Sequence, residues 1–378
     1  MLHHEAHYDI TRGTKPGLYL RSAWNIKNRG HNKERDVLKK ISEPLWNAYR
    51  GWDVPSRVRR LGGWLERRRQ DDSGGGYDHS ETVNEYYDLC NEFMQFGWNE
   101  SLHFAPLRPD ESLAQSIVRH QRLMIEKLQL REDMRVIDVG CGVGGPMRSV
   151  ARETGCKVLC LNNNEQQLET ARKRNSEQGL DHLAEYMRCN FMDMSAIEAD
   201  SFDAAYAIES TCHAPDKQGA FEQIYRVLKP GALFWGQEMC MTDKYDPANA
   251  RDREVKDELM LGIALDGIAT YSEVNRMLEA AGFDIVEAVD RGIADESGTP
   301  WYRPMEGLEG TLQSRFRGTP LGRKAMIAGL RVGEACRFVP KGSTAVVQLM
   351  NRTADAYVAG GKSGIFSPLY CFLVRKPM

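Results

Sequence analysis

The chain carries a short apolar run that leads directly into a cluster of glycines, Val-Ile-Asp-Val-Gly-Cys-Gly-Val-Gly-Gly-Pro at residues 136–146. An apolar run that ends in crowded glycines predicts a buried strand turning sharply into a helix. Gly140, Gly142 and Gly144 lack side chains where the backbone adopts unusual torsion angles or approaches a ligand closely. The first N–H groups of the following helix have no partner within that helix. The stretch therefore predicts a ligand site, with a purely structural turn as the alternative.

Two kinds of ligand fit this turn. The spacing Gly140-x-Gly142-x-x-Gly145 satisfies the dinucleotide fingerprint, which expects an acidic residue about 20 positions later for a ribose hydroxyl. The next predicted strand ends in Asn162-Asn163-Asn164 instead, and asparagine can also bind ribose, so the fingerprint is not decided there. Asp138, two residues before the first glycine, resembles the first motif of S-adenosylmethionine-dependent methyltransferases. The resemblance implies that the Asp138 carboxylate organises the loop around the methionine part of the ligand.

Strand-like and helix-like segments alternate through most of the chain. Predicted helices cover residues 111–128, 165–178, 217–228 and 272–281, and predicted strands cover 157–161, 184–189, 202–208, 232–238 and 284–291. Such alternation predicts a parallel sheet with helices on both faces and a ligand site at the carboxyl ends of the strands. A last strand at 369–375 is predicted at the edge of this sheet.

The chain divides into four predicted parts: an N-terminal arm and linker at 1–80, a helical segment on the substrate side at 81–130, a core at 131–291 and a C-terminal cover at 292–378. The arm holds four of the seven tryptophans, and residues 33–69 carry 11 Lys/Arg against 5 Asp/Glu. Basic residues with aromatic neighbours suit an anionic membrane surface. A helical arm packed on the core with a solvated basic face is the alternative.

Composition excludes several classes of protein. The net charge of −3 argues against a nucleic-acid partner, and the nine cysteines include no Cys-x-x-Cys spacing, which argues against zinc and other metal sites. The first residues lack the charged-then-apolar pattern expected of a signal peptide, and the sequence contains no apolar run of about 18 residues that could span a membrane. We expect a cytoplasmic protein with reduced thiols, and peripheral association with the endoplasmic reticulum or lipid droplets is the open alternative.

Five stretches, including the glycine turn, resemble the sterol carbon-24 methyltransferases and occur in that family's order. They are residues 138–146, Leu-Asn-Asn-Asn at 161–164, Tyr-Ala-Ile-Glu-Ser-Thr-Cys-His-Ala-Pro at 206–215, Met-Thr-Asp-Lys-Tyr-Asp-Pro at 241–247 and Val-Ala-Gly-Gly-Lys-Ser-Gly-Ile-Phe at 358–366. The likeness runs from about residue 86 to the C-terminus, with residues before about 75 placed outside it. The resemblance implies a Rossmann-like class I methyltransferase, an α/β fold with a seven-stranded, mostly parallel sheet.

The resemblance also implies the cofactor and its site. Such enzymes use S-adenosylmethionine to methylate a side-chain alkene, and the resulting carbocation is resolved by hydride shift and proton loss. The residues expected around the cofactor are Asp138, Gly140, Gly142, Gly144, Asn162, Asn163, Asn190, Phe191 and Glu209. The expected catalytic residues are Glu209 and His213, followed by Glu238 and His103. For Glu209 and His213 the alternative is that they only hold the loop, and His103 is equally compatible with a structural role.

The chain departs from the family pattern on the substrate side. The family's Tyr-Glu-Tyr-Gly-Trp-Gly becomes Met-Gln-Phe-Gly-Trp-Asn at 94–99, so two hydroxyls and a carboxylate are lost. Tyr-Glu-Trp becomes Gln-Glu-Met at 237–239, and an acidic pair becomes Met-Leu at 260–261. On the cofactor side, Gly-Asp-Phe-Met becomes Cys-Asn-Phe-Met at 189–192, where an asparagine carbonyl can still accept from the adenine amine, though more weakly than a carboxylate. The predicted substrate contacts are Met94, Phe96, Trp98, Met239 and Met260. These changes predict a divergent member with an altered substrate or product.

Three functions are consistent with this pattern. The first is a carbon methyltransferase acting on a sterol, triterpenoid or other isoprenoid alkene. The second keeps the cofactor but methylates oxygen or nitrogen of a hydrophobic metabolite, which needs only proximity and a base. The third is a non-catalytic, cofactor-binding paralogue. The sequence does not decide whether the chain forms a homo-oligomer.

Overall fold

The computed structural model describes Trp46, Tyr49 and residues 51–70, 79–98, 101–294, 298–306 and 320–378. The helices are α1 (Val54–Gln70), α2 (His79–Trp98), α3 (Leu113–Leu128), α4 (Gly145–Thr154), α5 (Glu165–Glu177), α6 (Lys217–Val227), α7 (Ala250–Ile263), α8 (Tyr271–Ala280), α9 (Arg291–Ala294), α10 (Pro320–Ala335) and α11 (Ser343–Ser363). The strands are β1 (Arg135–Val139), β2 (Lys157–Asn162), β3 (Ala184–Arg188), β4 (Phe202–Ile208), β5 (Leu228–Met241), β6 (Asp284–Asp290) and β7 (Phe366–Arg375).

The seven strands form one sheet in the order β3-β2-β1-β4-β5-β7-β6. Strands β1 to β5 are parallel to one another, whereas β7 runs antiparallel to both β5 and β6. The prediction that the last strand lies at the sheet edge is therefore wrong, because β7 pairs on both sides and β6 is the edge. The cause is burial: nine of the ten residues of β7 are buried, and a continuous apolar run of this kind suits an interior strand.

Alternate residues of the strands enter two separate cores. Ile137 and Val139 face a cluster that includes Phe221 of α6 and Leu278 of α8. Val136 faces the opposite cluster, which contains residues of α3, α4 and α5. Since successive side chains of a strand point to opposite faces, helices cover both sides of the sheet. The predicted α/β fold with a seven-stranded, mostly parallel sheet is confirmed.

A separate helical cluster joins the segments that flank the core in sequence. Leu61 of α1, Leu89 of α2, Leu261 of α7 and Val346 of α11 are buried together. Within its described residues, the N-terminal arm thus packs on the rest of the protein, as one of its two interpretations expected. Most of the arm, including residues 71–76 of the linker predicted at 70–76, lies outside the described residues. Membrane contact by the arm therefore stays a prediction. None of the helices described here has the length and apolarity to cross a membrane.

Candidate active site

The glycine turn connects β1 to α4 and is hydrogen-bonded to β2. The N–H groups of Gly140 and Cys141 both donate to the Leu161 carbonyl, at 2.9 and 3.0 Å. Gly140 has φ +83°, and a Cβ there would overlap the Ser210 side chain. Gly142 has φ +54°, and a Cβ there would meet nothing within 4 Å. Gly140 is therefore required by packing, whereas Gly142 borders open space that a ligand can occupy.

That open space is a cleft at the carboxyl ends of β1, β2 and β4, roofed by α2. Eight predicted site residues line it: Gly140, Gly142, Asn162, Asn163, Asn190, Phe191, Glu209 and His213. Val83, Asn84 and Tyr87 of α2 form the roof. The position agrees with the rule that ligands bind beyond the carboxyl ends of parallel strands. The predicted residues Asp138, Gly144, His103, Glu238, Met239 and Met260 lie elsewhere.

Asp138 lies beneath the glycine turn and is 2 % exposed. Burial raises the pKa of its carboxyl to about 7, and the Tyr206 hydroxyl opposes that rise. Its Oδ2 atom has no hydrogen-bond partner among the described residues. A buried oxygen without a donor is costly, so this position favours a ligand that brings an N–H or a positive charge.

Of the three asparagines at the end of β2, two stabilise the local structure and one is left to contact a ligand. Asn162 Nδ2 donates to Gln167 Oε1 at 2.8 Å, and Asn164 caps α5 by accepting from the Gln167 N–H. Asn163 lines the cleft and makes no side-chain hydrogen bond that the described residues provide. In the roof, Asn84 Oδ1 is buried and has no partner within the described ranges. Asn163 and Asn84 are thus the amides best placed for a ligand, and Asn84 was missed by the sequence analysis.

Asn190 and Phe191 lie on the side of the cleft next to β3. The Asn190 Oδ1 atom accepts a 3.0 Å hydrogen bond from the Met192 N–H, so part of its accepting capacity already stabilises the turn. Asn190 thus helps to shape this side of the cleft, and its contact with a ligand stays a prediction.

Glu209 occupies a left-handed backbone conformation with φ +52° directly after β4. Its Oε1 atom accepts from the Phe104 N–H at 2.6 Å and from Gln237 Nε2 at 2.7 Å. Burial raises the pKa of this carboxyl well above its usual value, although both donors oppose the rise. A non-glycine residue at positive φ is strained, and strain of this kind is concentrated at functional sites. One oxygen is thus fixed by the protein while the side chain still lines the cleft.

Gln237, in the middle of β5, is the residue that positions Glu209. It is fully buried, and its Oε1 atom accepts from His120 Nε2 at 2.8 Å. Its amide nitrogen also lies within hydrogen-bond distance of the Phe104 and Pro368 carbonyls, at 3.2 and 3.1 Å. Burial lowers the pKa of His120 to about 3, so His120 is neutral and donates. The role of Gln237 was not predicted, because the sequence does not reveal which side chains a buried amide reaches.

His103 is not a cleft residue. It is 2 % exposed, its Nδ1 atom donates to the Phe104 carbonyl at 2.7 Å, and its Nε2 atom lies 2.9 Å from the Gln121 amide. Burial lowers its pKa to about 4. Because both ring nitrogens have protein partners and the ring is neutral, this geometry favours a structural role for His103 over a catalytic one.

His213 lines the cleft opposite α2. Its Nε2 atom lies 3.0 Å from the Tyr87 hydroxyl, and the two rings meet edge to face with centroids 5.5 Å apart. This contact ties the loop after β4 to the roof. Tyr87 thus lines the cleft, although the sequence analysis did not single it out.

Glu238 forms a buried ion pair away from the cleft. Its Oε2 atom accepts from Lys217 Nζ at 2.8 Å, and its Oε1 atom accepts from the Thr211 hydroxyl. Lys217 Nζ also donates to the Thr211 carbonyl at 2.7 Å. Both carboxylate oxygens are engaged, so Glu238 fixes the loop that carries Glu209 and His213 and is not placed to react with a ligand.

An aromatic cluster adjoins Glu209 through Phe104. The Phe104 ring lies 5.0 Å from that of Tyr357 and 5.4 Å from that of Trp301, between centroids. The predicted substrate residues Met239 and Met260 pack in this cluster, and Met239 Sδ accepts from the Tyr357 hydroxyl at 3.7 Å. Tyr357 and Trp301 were not predicted, although Tyr357 directly precedes the stretch 358–366. Met94, Phe96 and Trp98 lie on α2, but their side chains are outside the described part.

The strand order, the glycine turn and the cleft define a class I methyltransferase. A cyclopropane synthase of Mycobacterium tuberculosis shares the fold with a TM-score of 0.60 at 17% identity, covering 79% of this chain and 99% of that one. A geranyl diphosphate C-methyltransferase of Streptomyces coelicolor gives 0.53 at 16% identity, covering 80% and 100%. The family model for a methyltransferase domain matches residues 137–236, and the model for the sterol methyltransferase C-terminal region matches 313–378.

Curated relatives narrow the class further. The chain is 41% identical to a cycloartenol-C-24-methyltransferase of Arabidopsis thaliana, covering 79% of this chain and 88% of that protein. It is 37% identical to a sterol 24-C-methyltransferase of Saccharomyces cerevisiae, covering 97% and 90%. The chain therefore belongs to the sterol 24-C-methyltransferase family. It is an S-adenosylmethionine-dependent methyltransferase, which confirms the predicted enzyme class and cofactor. The yeast match includes most of residues 1–75, so placing them outside the family likeness was wrong.

The raised pKa of Asp138 predicts how stability depends on pH. Between pH 3.8 and about pH 7 the folded chain binds more protons at Asp138 than the unfolded chain does, because the buried carboxyl stays neutral there. This site therefore lowers the free energy of unfolding of the cofactor-free protein by up to ~4 kcal/mol as pH rises through that window. Asp138→Asn should remove this fall, as measured by denaturant unfolding across the pH range.

The matched control is Asp133→Asn, since the Asp133 carboxyl is 74% exposed. Asp133→Asn should leave the wild-type pH profile unchanged. Parallel profiles for wild type and Asp138→Asn would contradict the buried, neutral state of Asp138.

Proposed function

We propose that this chain transfers a methyl group from S-adenosylmethionine to a carbon of the side-chain alkene of a sterol or a related triterpenoid. The observation that carries the proposal is the position of Glu209, a buried carboxyl between the cofactor cleft and the aromatic cluster of Phe104, Trp301 and Tyr357. The names of the curated relatives support the sterol class and the carbon acceptor.

Residues that line the cleft, together with Asp138 beneath the glycine turn, fit the cofactor part by part. Asp138 Oδ2 and Asn84 Oδ1, both without donors among the described residues, suit the ammonium of the methionine portion. Asn163 suits the ribose hydroxyls, and the Asn190–Phe191 pair suits the adenine ring. Gly142 leaves the space that the cofactor requires. When bound, S-adenosylmethionine supplies an electrophilic methyl group on a positively charged sulfur.

The aromatic cluster and Glu209 provide for the charge that develops on the substrate. The alkene π electrons form the new carbon–carbon bond, the carbon–sulfur electron pair remains on sulfur, and a carbocation is left on the substrate. Ring faces stabilise a nearby cation, and the buried setting keeps water away from it. Hydride shift and loss of a proton then restore a double bond.

Glu209 is the proposed acceptor of that proton. Its Oε1 atom is fixed by two donors, which leaves Oε2 for the substrate side. The raised pKa makes the ionised form of Glu209 a stronger base than an ordinary carboxylate, and the positive charge of a bound cofactor would favour that ionised form. His213, held by Tyr87, is proposed to close the cleft beside it. Glu238, Lys217 and Gln237 are proposed as positioning residues.

The lost hydroxyls and carboxylate at Met94, Gln95 and Phe96 support a substrate or product that differs from that of ordinary family members. Removing groups that stabilise a cation should slow a reaction that depends on them. Trp98 retains the ring of the family motif. Met239 and Met260 bring adaptable side chains to the aromatic cluster.

The function is tested by incubating the protein with S-adenosylmethionine that carries a deuterated methyl group, together with a panel of sterols, triterpenes and lipid extract. We expect the label on carbon of an alkene-containing lipid, as located by mass spectrometry and nuclear magnetic resonance. Label on oxygen or nitrogen would replace the proposal with a heteroatom methyltransferase. Cofactor binding without any labelled lipid would indicate a non-catalytic paralogue.

Substitution at Gly142 tests the cofactor position. Gly142→Val places a side chain in the cleft and should weaken cofactor binding by roughly 100-fold or more in calorimetry, because the two would occupy the same space. Gly179→Val is the matched control, since Gly179 also has positive φ, at +70°, with nothing within 4 Å of a Cβ, but lies outside the cleft. Similar affinity in both variants would rule out this placement of the cofactor.

Glu209→Gln tests the proposed base. The amide oxygen of glutamine can still accept from Phe104 and Gln237, so the loop should keep its shape, while the basic oxygen is lost. We expect turnover to fall by roughly 100-fold or more, with thermal stability maintained and cofactor affinity changed only a few-fold. Full turnover by a folded variant would remove Glu209 from the mechanism.

A further inference from the structure

Helix α10 presents an outward face that no described part of the chain covers. Leu321, Lys324, Ala325, Ala328, Arg331, Val332 and Ala335 are all exposed and are spaced three or four residues apart. Residues with that spacing lie on one side of a helix. Leu321 is 68% exposed and Val332 is 62% exposed. Most of this outward face is therefore apolar, and two basic side chains interrupt it.

The same surface continues beyond the end of the helix. The following turn exposes Cys336, Arg337, Phe338 and Lys341, and the Phe338 side chain is 58% exposed. Trp46 donates from Nε1 to the Phe338 carbonyl at 3.0 Å and is itself 43% exposed. The α10 surface is defined here as the outward face of the helix, this turn and Trp46.

The charge of this surface is positive although the whole chain is net negative. Residues 320–342 contain five Lys/Arg and one acidic residue, against a chain net charge of −3. The acidic residue, Glu334, is half-buried and accepts from the Thr344 N–H at 2.6 Å. Arg323 pairs with Asp355 of α11. Lys324, Arg331, Arg337 and Lys341 remain exposed and form no ion pair with any residue that the structure describes.

We propose that the α10 surface docks on an anionic lipid leaflet. Basic side chains interleaved with Leu, Val, Phe and Trp suit the boundary between charged headgroups and acyl chains. A second copy of this chain fits poorly, because a symmetric contact would place the basic side chains against each other. The proposed function enters this proposal only as the purpose of docking, because an enzyme with a lipid-phase substrate collects it at such a surface.

The test is flotation of the full chain with vesicles of phosphatidylcholine, with and without phosphatidylserine. We expect binding only to the anionic vesicles. The double variant Lys324→Glu, Arg331→Glu should lower the partition coefficient by roughly 30-fold or more. Leu321→Ser with Val332→Ser should also lower it, because the apolar contribution is lost. Methyl transfer to detergent-dispersed sterol should be unchanged in both variants.

The matched charge control is Lys157→Glu with Lys173→Glu, two exposed lysines on β2 and α5. The apolar control is Val286→Ser, at a residue of β6 that is 51% exposed. Equal loss in these controls, or wild-type flotation of the α10 variants, would overturn the proposal. So would a dimer that dissociates in the α10 variants without any effect on flotation. A chain that floats as expected but transfers no methyl group would count against the proposed function alone.

Discussion

The buried amide of Gln237 is the interaction on which the active site depends. Its oxygen accepts from His120 of α3, and its nitrogen contacts Glu209 after β4, Phe104 before α3 and Pro368 in β7. One side chain in the middle of the sheet thus joins four segments that are distant in sequence. A buried polar group is stable only when its hydrogen bonds are made, so this network favours one arrangement of the loop that carries Glu209. The family pattern that the sequence resembles has tyrosine at this position, so the amide network rests on a residue at which this chain departs from that pattern.

A second buried interaction fixes the other end of that loop. Lys217 and Glu238 are paired inside the protein, and Lys217 and Glu238 together engage Thr211. A buried ion pair contributes little net stability, because desolvation offsets much of the attraction, but removing one partner is strongly destabilising. The main effect of this ion pair is therefore to fix the position of the loop after β4. It places Glu209 and His213 on the cleft while its own charges stay away from it.

The environment of the site explains why its ionisable groups have unusual pKa values. Burial raises the pKa of Asp138 and Glu209 and lowers that of His103 and His120. In each case the charged form is disfavoured because water is excluded. The same exclusion suits a reaction that passes through a carbocation, and it suits a positively charged cofactor, which can restore charge to the carboxyl groups. The aromatic cluster around Phe104 extends this dry region toward α11.

The sequence by itself determined the fold class, the glycine turn and eight of the residues that line the cleft, because these depend on local patterns. Glycine spacing, alternating strands and helices, and Glu209 at a strand end are all visible in the order of residues. The tertiary structure decided what depends on contacts between distant segments. It placed β7 inside the sheet and gave His103 and Glu238 buried partners away from the cleft. It also brought Asn84 and Tyr87 to the cleft, Gln237 to Glu209, and Tyr357 to Phe104. A polar or aromatic residue looks the same in a sequence whether it faces a ligand or a buried partner, and only packing distinguishes the two.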